Sequence, residues 1–265
     1  MKRFDLHTHS NCSDGLDEPF ALLDLAKAAG LSGLSITDHD TIQAYTPQLF
    51  ERAGELGLEL LMGTEVSSEM ERTTVHILAY AFNPSLKDFL DEVVRRRVIR
   101  NRKIIEHLRK KGIEIPENEL SAFPAQIVGR PHIARILIRK GIVSTMQEAF
   151  DRFLKDEAIR YSSGGKFSPS EVIEAIHQAS GKAVLAHPHF LKPQKVLREL
   201  LSLPFDGLEC YYGRCFPEQE RPWVEMAQRR HLIATGGSDY HGAIRPDQGI
   251  GCSWVNEETF LKLKE

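Results

Sequence analysis

The sequence contains no apolar run approaching the roughly 20 residues that a membrane span requires, so a transmembrane protein is not expected. Its formal net charge is only -3 at pH 7, which excludes a general attraction to nucleic acid or membranes and makes any anion-binding surface local. The four cysteines form no CxxC pair, which indicates reduced thiols. A polar segment begins almost at Met1, where a secretory leader would be basic and then apolar. We therefore expect a cytoplasmic protein.

The chain does contain an ordinary globular composition and an alternation of strand and helix signals. With 265 residues, 42% of them hydrophobic and 27% charged, it can form one large barrel-like domain or two ordinary ones. Strands and helices alternate up to residue 85 and again from about residue 161. Residues 86–160 show helical signals without a convincing strand. The pattern predicts an α/β fold with a mainly parallel sheet or barrel, interrupted by an all-helical insertion.

The segment from Phe4 to Ser10 predicts a short strand that carries two histidines near its end. Because side chains alternate along a strand, His7 and His9 point to the same side. Neutral imidazole is a preferred ligand of Zn, Mn and Fe, so this pair forms the start of a metal site. Taken alone, the two histidines could equally well be ordinary residues at the surface or at the edge of the core. Whether they bind a metal depends on whether the remaining residues supply the missing ligands.

Residues of metal-binding type recur around the other predicted strands. Five of them follow predicted strands: His39, Glu65, His187, Asp239 and His241, with Glu65 after the strand predicted at Leu58–Met62. The sixth, His76, lies within a predicted strand. In a parallel β/α barrel the C-terminal ends of the strands converge on one face, where active sites are built. A mixed histidine and carboxylate set suits Zn, Mn or Fe, and its size exceeds the three or four ligands that one ion needs. We therefore predict two or three ions that share carboxylates.

Several segments, in their order along the chain, resemble motifs of the PHP (polymerase and histidinol phosphatase) superfamily. They are Asp5–Ser10 with Ser13–Gly15, Thr37–Asp40, Gly63–Glu65, His76, Leu185–Pro188 and Gly237–His241. Within the predicted insertion, Gly129–Ala134 further resembles the TrpH-like branch. The resemblance implies a distorted (β/α)7 barrel with a trinuclear metal centre in residues 1–85 and 161–265, and a helical insertion in residues 86–160 that caps the site.

The same resemblance implies which residues hold the three ions. The first ion is assigned to His7, His9, Glu65 and Asp239, the second to Asp14, His39 and His241, and the third to Glu65, as a bridge, with His76 and His187. A hydroxide between two ions would attack phosphorus while the third ion binds a phosphoryl oxygen. TrpH-like members include enzymes that release the 3′-phosphate of nucleoside 3′,5′-bisphosphates, and relatives trim short RNA from the 5′ end. We therefore expect a metal-dependent phosphoesterase that acts on a nucleotide or a short oligonucleotide.

A second group of residues is predicted to act around the metals. Arg130 and His132 lie at the start of a short helix, where a guanidinium and a helix N-terminus suit a substrate phosphate. Ser238 either contacts a phosphate oxygen or is structural. Asp38 flanks a candidate ligand and is expected to orient an imidazole. His189 stands where the family usually has glycine, and either donates a proton or occupies substrate space.

A long basic helix, predicted from Val93 to Lys111, carries more arginines than the site needs. Most of them are expected to form a solvated face, but Arg97 or Arg102 could reach the mouth of the site and meet a polyanionic substrate.

Two alternative functions stay open. A histidinol-phosphate phosphatase would use the same metal centre, although the TrpH-like insertion argues against it. A non-catalytic module that binds phosphate or nucleic acid would use the metals structurally, although the complete ligand set argues against that. We expect no membrane association and see no sign of an obligate protein partner.

Overall fold

Strand β1 (Arg3–Thr8) lies inside a four-stranded sheet and carries the first histidines of the candidate site. In this computed structural model, which describes residues 1–121, 123, 128–154, 166–192 and 194–265, the sheet order is β3-β2-β1-β9. The other strands of this sheet are β2 (Gly33–Ile36), β3 (Glu59–Leu60) and β9 (Val255–Asn256). The pairs β1–β2 and β2–β3 are parallel, as the alternation of strands and helices predicts, and β9 closes the edge in the antiparallel direction.

A second sheet of five strands follows in the order β4-β5-β6-β7-β8. Its strands are β4 (Gly63–Met70), β5 (Thr73–Tyr80), β6 (Lys182–Leu185), β7 (Gly207–Tyr212) and β8 (Ile233–Gly237). The last three are parallel to one another, whereas β5 runs antiparallel to both of its neighbours. Glu71 and Arg72 form the two-residue turn between β4 and β5, both with positive φ, as a type I′ hairpin requires.

The hairpin corrects one sequence-based expectation. Glu65 was predicted to follow the end of a parallel strand, but it is the third residue of β4, which continues to Met70. Two residues are too few for the crossover that a parallel connection needs, so β5 must run antiparallel to β4. His76 lies within β5, as predicted.

The two edge strands of the second sheet, β4 and β8, meet the two central strands of the first, β2 and β1. Thr8, at the end of β1, pairs with Tyr240 just beyond β8, and the Asp239 N–H donates to the His7 carbonyl at 2.8 Å. On the other side His39, just beyond β2, pairs with Glu65 of β4. The ends of strands from both sheets are thereby brought to one place.

Helices surround the sheets and occupy the segment between β5 and β6. They are α1 (Pro19–Ala28), α2 (Pro47–Glu55), α3 (Leu86–Lys110), α4 (Glu117–Ser121), α5 (Arg130–Arg139), α6 (Met146–Ala149) with a π-helical turn at Phe150–Leu154, α7 (Pro169–Gln178), α8 (Gln194–Leu200), α9 (Pro217–Arg229) and α10 (Glu257–Lys264). Proline at the first or second position begins α1, α2, α5, α7 and α9, where its missing N–H removes no helical hydrogen bond.

Helix α3 belongs to two hydrophobic clusters. Its N-terminal half places Leu86, Leu90 and Val93 in a cluster with residues of β4 to β7 and α7. Its C-terminal half places Ile104 and Leu108 in a separate cluster with residues of α5, α6 and the π-helical turn. The helix begins at Leu86 rather than at the predicted Val93, because Leu86 and Leu90 continue the buried face toward the N-terminus.

Within the described part of residues 86–160 the chain forms helices, turns and loops and contributes no strand. The predicted boundary at residues 160 and 161 lies outside the described residues. Across the described residues, no helix is long and apolar enough to cross a membrane.

Candidate metal centre

The Glu65 carboxylate lies at the centre of a cluster of imidazoles where the two sheets meet. Its side chain is 1% exposed, although it is a charged residue. Five rings approach it, each with one nitrogen between 3.0 and 3.4 Å from a Glu65 oxygen: those of His7, His9, His39, His76 and His187. His76 and His187 approach Oε1, and the other three approach Oε2. The two oxygens therefore face two different groups of ligands.

Asp239 and Asp14 add two further carboxylates beside Glu65. Asp239 Oδ1 lies 3.2 Å from His9 Nε2 and 3.4 Å from His241 Nδ1. Asp14 Oδ1 lies 3.3 Å from His241 Nε2, and its Oδ2 lies 3.7 Å from His39 Nε2. The nine residues predicted as ligands are thus brought together from segments that are far apart in the sequence.

Three groups within this cluster have ligand atoms close enough to hold an ion, all within 4.8 Å of one another. They are His7, His9 and Asp239; His9, Asp14, His39 and His241; and His39, Glu65 and His76. The first two resemble the sets expected for the first and second ions, except that His9 also joins the second set. His187 Nε2 lies 3.0 Å from Glu65 Oε1, the oxygen that His76 of the third group also approaches.

Unsatisfied nitrogens at this site test whether its residues fit metal ions. His9 Nδ1, His39 Nδ1 and His241 Nε2 are buried and make no hydrogen bond within the described part of the chain. His7 Nε2 and His9 Nε2 face each other at 3.1 Å. Buried polar atoms are normally paired, and imidazole nitrogens converging with carboxylate oxygens match the donors that Zn, Mn and Fe prefer. The residues therefore fit such ions.

The charges of the cluster favour its metal-binding forms at two of the histidines and at all three carboxylates. Burial lowers the pKa of His39 and of His76, which keeps these rings neutral. Burial opposes ionisation of Asp14, Glu65 and Asp239, but hydrogen bonds and charge from the surrounding histidines outweigh it and hold the pKa of each carboxyl well below its usual range. The carboxylates in turn raise the pKa of His7, His9 and His187 despite their burial, so these three rings hold the positive charge of the cluster. Ionised carboxylates and neutral imidazoles are the forms that bind metals.

Sequence reasoning missed the residues that hold Asp239 in place. The Tyr212 hydroxyl donates to Asp239 Oδ2 at 2.5 Å, and Arg245 donates to the same oxygen, which leaves Oδ1 for the histidines. Asp239 has a φ of 52°, in the left-handed region that few non-glycine residues adopt. Glu209, buried beneath His7, was missed as well.

The carboxylates that flank His39 organise loops. Asp38 was expected to orient an imidazole, but its hydrogen bonds come from the N–H and hydroxyl of Ser10, at 2.8 and 2.5 Å, and from the hydroxyl of Ser13, at 2.5 Å. It thereby orders the loop that carries Asp14. Asp40 accepts from Arg97 of α3 and from the Ser67 N–H at 2.6 Å. Arg97 thus reaches the edge of the site, as one of the two predicted arginines.

A cavity of about 190 Å³ lies between the cluster and the helices that follow β5. His39 and His76 line it on one side, and Arg130 and His132 at the start of α5 line it on the other. Its further lining includes the cationic side chains of Arg97, Arg100, Lys166 and Arg245. His132 is 2% exposed and accepts from the Gly129 N–H at 2.9 Å, and burial lowers its pKa to about 4.

Two other predicted residues lie elsewhere. Ser238 is fully buried, with its hydroxyl 3.5 Å from the His7 carbonyl, which favours the structural alternative for this residue. His189 Nε2 donates to the Cys210 carbonyl at 3.2 Å, and its ring packs 5.2 Å from that of Trp223. Its imidazole therefore sits in an aromatic pocket behind His187.

The chain is similar to known proteins in sequence and in structure. A family model described as the PHP domain matches residues 5–159. The chain is 33% identical over 263 residues to the 5′-3′ exoribonuclease Rnm of Salmonella typhimurium, covering 95% of this chain and 87% of the relative. It is 30% identical over 261 residues to the 3′,5′-nucleoside bisphosphate phosphatase of Chromobacterium violaceum, covering 95% and 91%.

A solved structure, a metal-dependent phosphoesterase from Bifidobacterium adolescentis, superposes with a TM-score of 0.85 at 30% identity, over 98% of this chain and 94% of that one. The match of the family model to more than half of the chain, and relatives that align over nearly its whole length, confirm the resemblance noted from the motifs. The chain belongs to the PHP family.

Proposed function

We propose that this protein is a metal-dependent phosphoesterase that hydrolyses phosphate esters of nucleotides. The observation that carries the proposal is the convergence of five imidazoles on the buried Glu65 carboxylate, beside a cavity lined by cationic side chains. The first feature suits several divalent ions, and the second suits a substrate with more than one phosphate.

The relatives narrow the substrate class. One is named for exonucleolytic cleavage of RNA from the 5′ end and another for the phosphatase reaction on nucleoside 3′,5′-bisphosphates. A nucleotide within an RNA chain lies between a 5′ and a 3′ phosphate, so it is chemically similar to a nucleoside 3′,5′-bisphosphate. We propose the same class here: a nucleoside 3′,5′-bisphosphate or the end of a short oligonucleotide.

Two or three ions of Mn, Zn or Fe would be held by the nine clustered residues. His7, His9, Glu65 and Asp239 would hold the first, Asp14, His39 and His241 the second, and His76 and His187 the third together with Glu65. Such ions, when bound, lower the pKa of water and stabilise charge on phosphoryl oxygens. Glu65 would serve two of these positions, because its two oxygens face different histidines.

The chain's own residues would bind and orient the substrate. Arg130 lies at the first position of α5 and faces the cavity that His39 and His76 also line. A guanidinium at this position can bind one phosphate of the substrate through two hydrogen bonds while a second phosphate lies against the histidine and carboxylate cluster. His7, His9 and Glu65 are at no more than 1% exposure, so these residues of the cluster are shielded from bulk water.

We further propose the architecture that the resemblance implies: a distorted (β/α)7 barrel in residues 1–85 and 161–265, capped by residues 86–160. Support comes from the pairings Thr8–Tyr240 and His39–Glu65, which join both edges of the second sheet to the central strands of the first. The hydrophobic cluster that α3, α5 and α6 form, separate from the clusters of the strands, supports the second unit.

The test is phosphate release from 3′-phosphoadenosine 5′-phosphate by the purified protein loaded with Mn²⁺. We expect release of one phosphate per nucleotide, and loss of that activity in a His7→Ala or Asp239→Ala variant that keeps its circular dichroism spectrum. Full activity of both variants would contradict the ligand assignment. No turnover of bisphosphates or oligonucleotides by fully metallated protein would contradict the function.

The same assay separates the alternatives. Histidinol phosphate as the preferred substrate in direct competition would favour the histidinol-phosphate phosphatase. Tight binding of the nucleotide without turnover, in protein with full metal content, would favour a non-catalytic binding module.

A further inference from the structure

Glu209 is a fully buried carboxylate in the middle of β7, outside the nine clustered residues. Its Oε1 lies 2.8 Å from His7 Nδ1, and its Oε2 accepts the backbone N–H of His187 at 2.6 Å. Each oxygen thus meets a different candidate ligand, although these ligands come from different strands. A buried carboxylate whose two oxygens are both engaged in this way has a defined orientation.

The contact with His7 determines which ring nitrogen can bind a metal. A carboxylate only accepts hydrogen bonds, so Nδ1 of His7 must carry the proton. In the neutral ring, the form that binds a metal, Nε2 then carries no proton and points into the cluster, 3.4 Å from Glu65 Oε2 and 3.5 Å from Asp239 Oδ1. Metal-binding histidines commonly have this arrangement, with the distal N–H held by a carboxylate.

The contact with His187 stabilises an unusual backbone. His187 has a φ of 27° and a ψ of 56° and directly precedes Pro188, and both features restrict its conformation. Its N–H is directed into the sheet, where Glu209 accepts it. This bond holds the ring so that Nε2 lies 3.0 Å from Glu65 Oε1.

We propose that Glu209 is a positioning residue that sets the tautomer of His7 and the backbone of His187 together, and so couples two of the metal positions. This inference rests on the proposed function, because it requires that both histidines bind metal. Glu209 touches neither the substrate nor the cavity in this arrangement, and it acts through the two histidines.

Replacing Glu209 by glutamine removes one acceptor and introduces one donor at nearly constant volume. The His187 N–H cannot change, so the glutamine oxygen must turn toward it. The amide NH₂ then faces His7 Nδ1, which can accept only if the ring proton moves to Nε2. A proton on Nε2 blocks that nitrogen as a ligand. If the amide turns the other way, two donors meet at His187 and its strained backbone is released.

The experiment uses full-length protein with ¹⁵N-labelled histidine and Zn²⁺ as the metal. In the wild type we expect the ¹⁵N spectrum to show His7 with a protonated Nδ1 and a zinc-bound Nε2, and in Glu209→Gln a His7 ring without that pattern. Competition with a chelator should show Mn²⁺ affinity reduced by roughly 10- to 100-fold in the variant.

The matched control is Asp206→Asn. Asp206 precedes the opposite end of β7 and also accepts from a histidine ring, His177 Nε2 at 2.8 Å, and from a backbone N–H, that of Ala183 at 2.7 Å. His177 lies outside the cluster, so this variant should keep the wild-type affinity for Mn²⁺ and the wild-type His7 spectrum.

Two results would overturn the inference. One is a wild-type spectrum in which His7 binds zinc through Nδ1, a result that does not depend on whether the variant folds. The other is a folded Glu209→Gln variant with unchanged Mn²⁺ affinity and an unchanged His7 spectrum. Absence of phosphate release by a wild type that shows the expected His7 pattern would count against the proposed function alone.

Discussion

At the scale of single residues, Glu65 is the carboxylate of the candidate site that lies close to the largest number of histidines. It meets histidines that come from β1, from the loop after β2, from β5 and from the loop after β6. Burying an ionised carboxylate is costly unless opposite charges or metals surround it. The burial of Glu65 among histidines therefore supports its proposed role as a metal ligand.

We predict that Glu65→Gln lowers the affinity for Mn²⁺ by more than about 100-fold, because even residues that only orient a ligand contribute roughly 10- to 100-fold. Phosphate release should fall with it. Equilibrium dialysis and metal analysis of the dialysed protein measure the affinity and the number of ions bound.

Glu69→Gln is the control for that substitution. Glu69 lies four residues further along β4 and pairs with Lys166 Nζ at 3.3 Å, outside the cluster. The control should retain wild-type metal content. Equal losses in both variants would mean that β4 tolerates no loss of charge, and would contradict the special role of Glu65.

The sequence was sufficient to predict which residues cluster at the candidate site, but not which residues hold their side chains in place. His7, His39, His187 and Asp239 lie at or near the ends of strands, a position that periodicity reveals. Glu209 contacts His7 across 202 residues of sequence, and no local spacing encodes such a contact. The one available signal was a charged residue inside an otherwise apolar strand, which is rare unless the charge is paired.

At the scale of elements, the β4–β5 hairpin shows where periodicity fails. Both strands were predicted in part, but the turn of Glu71 and Arg72 lacks the glycine or asparagine that usually marks a type I′ turn. The direction of β5 was therefore missed. The pairing brings Ser67 opposite His76 and Glu65 opposite Leu78, so the His76 ring reaches Glu65 diagonally across the two strands.

Helix α3 is tied to the edge of the site through Arg97. Its guanidinium donates to Asp40 and to the Ser67 hydroxyl; the Asp40 side chain is fully buried and that of Arg97 is 10% exposed. We predict that Arg97→Met lowers the free energy of unfolding by about 3–5 kcal/mol, because Asp40 is left as an unpaired buried charge. Urea denaturation of the metal-free protein measures this change.

Two further variants test that explanation. Arg95→Met, which removes an exposed ion pair with Glu92 on the same helix, should change stability by no more than about 0.5 kcal/mol. Adding Asp40→Asn to Arg97→Met should recover part of the loss, since the buried charge is then gone. A double variant less stable than Arg97→Met would contradict the pairing.

Helix α5 places Arg130 against the cavity. If this side chain binds a substrate phosphate, Arg130→Met should raise KM for a nucleoside bisphosphate by roughly 10- to 100-fold, the value of a charge-assisted hydrogen bond, and change kcat little. Steady-state kinetics separate the two constants.

Arg139→Met at the other end of α5 is the matched control. Its side chain is exposed and pairs with Glu119, away from the cavity. It should leave KM unchanged. A fall in kcat rather than a rise in KM for Arg130→Met would assign the residue to the transition state instead of to binding.

At the scale of the whole molecule, the proposed metals join the two sheets. The first and second sheets meet through the pairs at Thr8 and His39, and the ligands come from both sheets. Metal removal should therefore reduce global stability. At a free concentration of one hundred times Kd, a single ion contributes about 2.7 kcal/mol, which corresponds to a Tm increase of roughly 5 to 10 °C in a chain of this size.

Differential scanning calorimetry with and without a chelator measures that difference. Restoring Mn²⁺ should restore the Tm, and Mg²⁺ at the same concentration should restore less of it, because a histidine-rich set favours softer ions. A Tm that does not respond to the chelator, in protein shown to have lost its metal, would contradict the joining role of the ions.

The position of α3 in two hydrophobic clusters has a consequence for how such a chain can diverge during evolution. All nine candidate ligands lie before Leu86 or after Lys166, whereas Arg130 and His132 lie between them, on a helix that packs in the second cluster. Substitutions, insertions and deletions between the end of α3 and the start of α7 can reshape the cavity while the ligands keep their places. Related chains can thus acquire new substrates without rebuilding the chemistry, provided that the N-terminal half of α3 keeps its contacts with the strands.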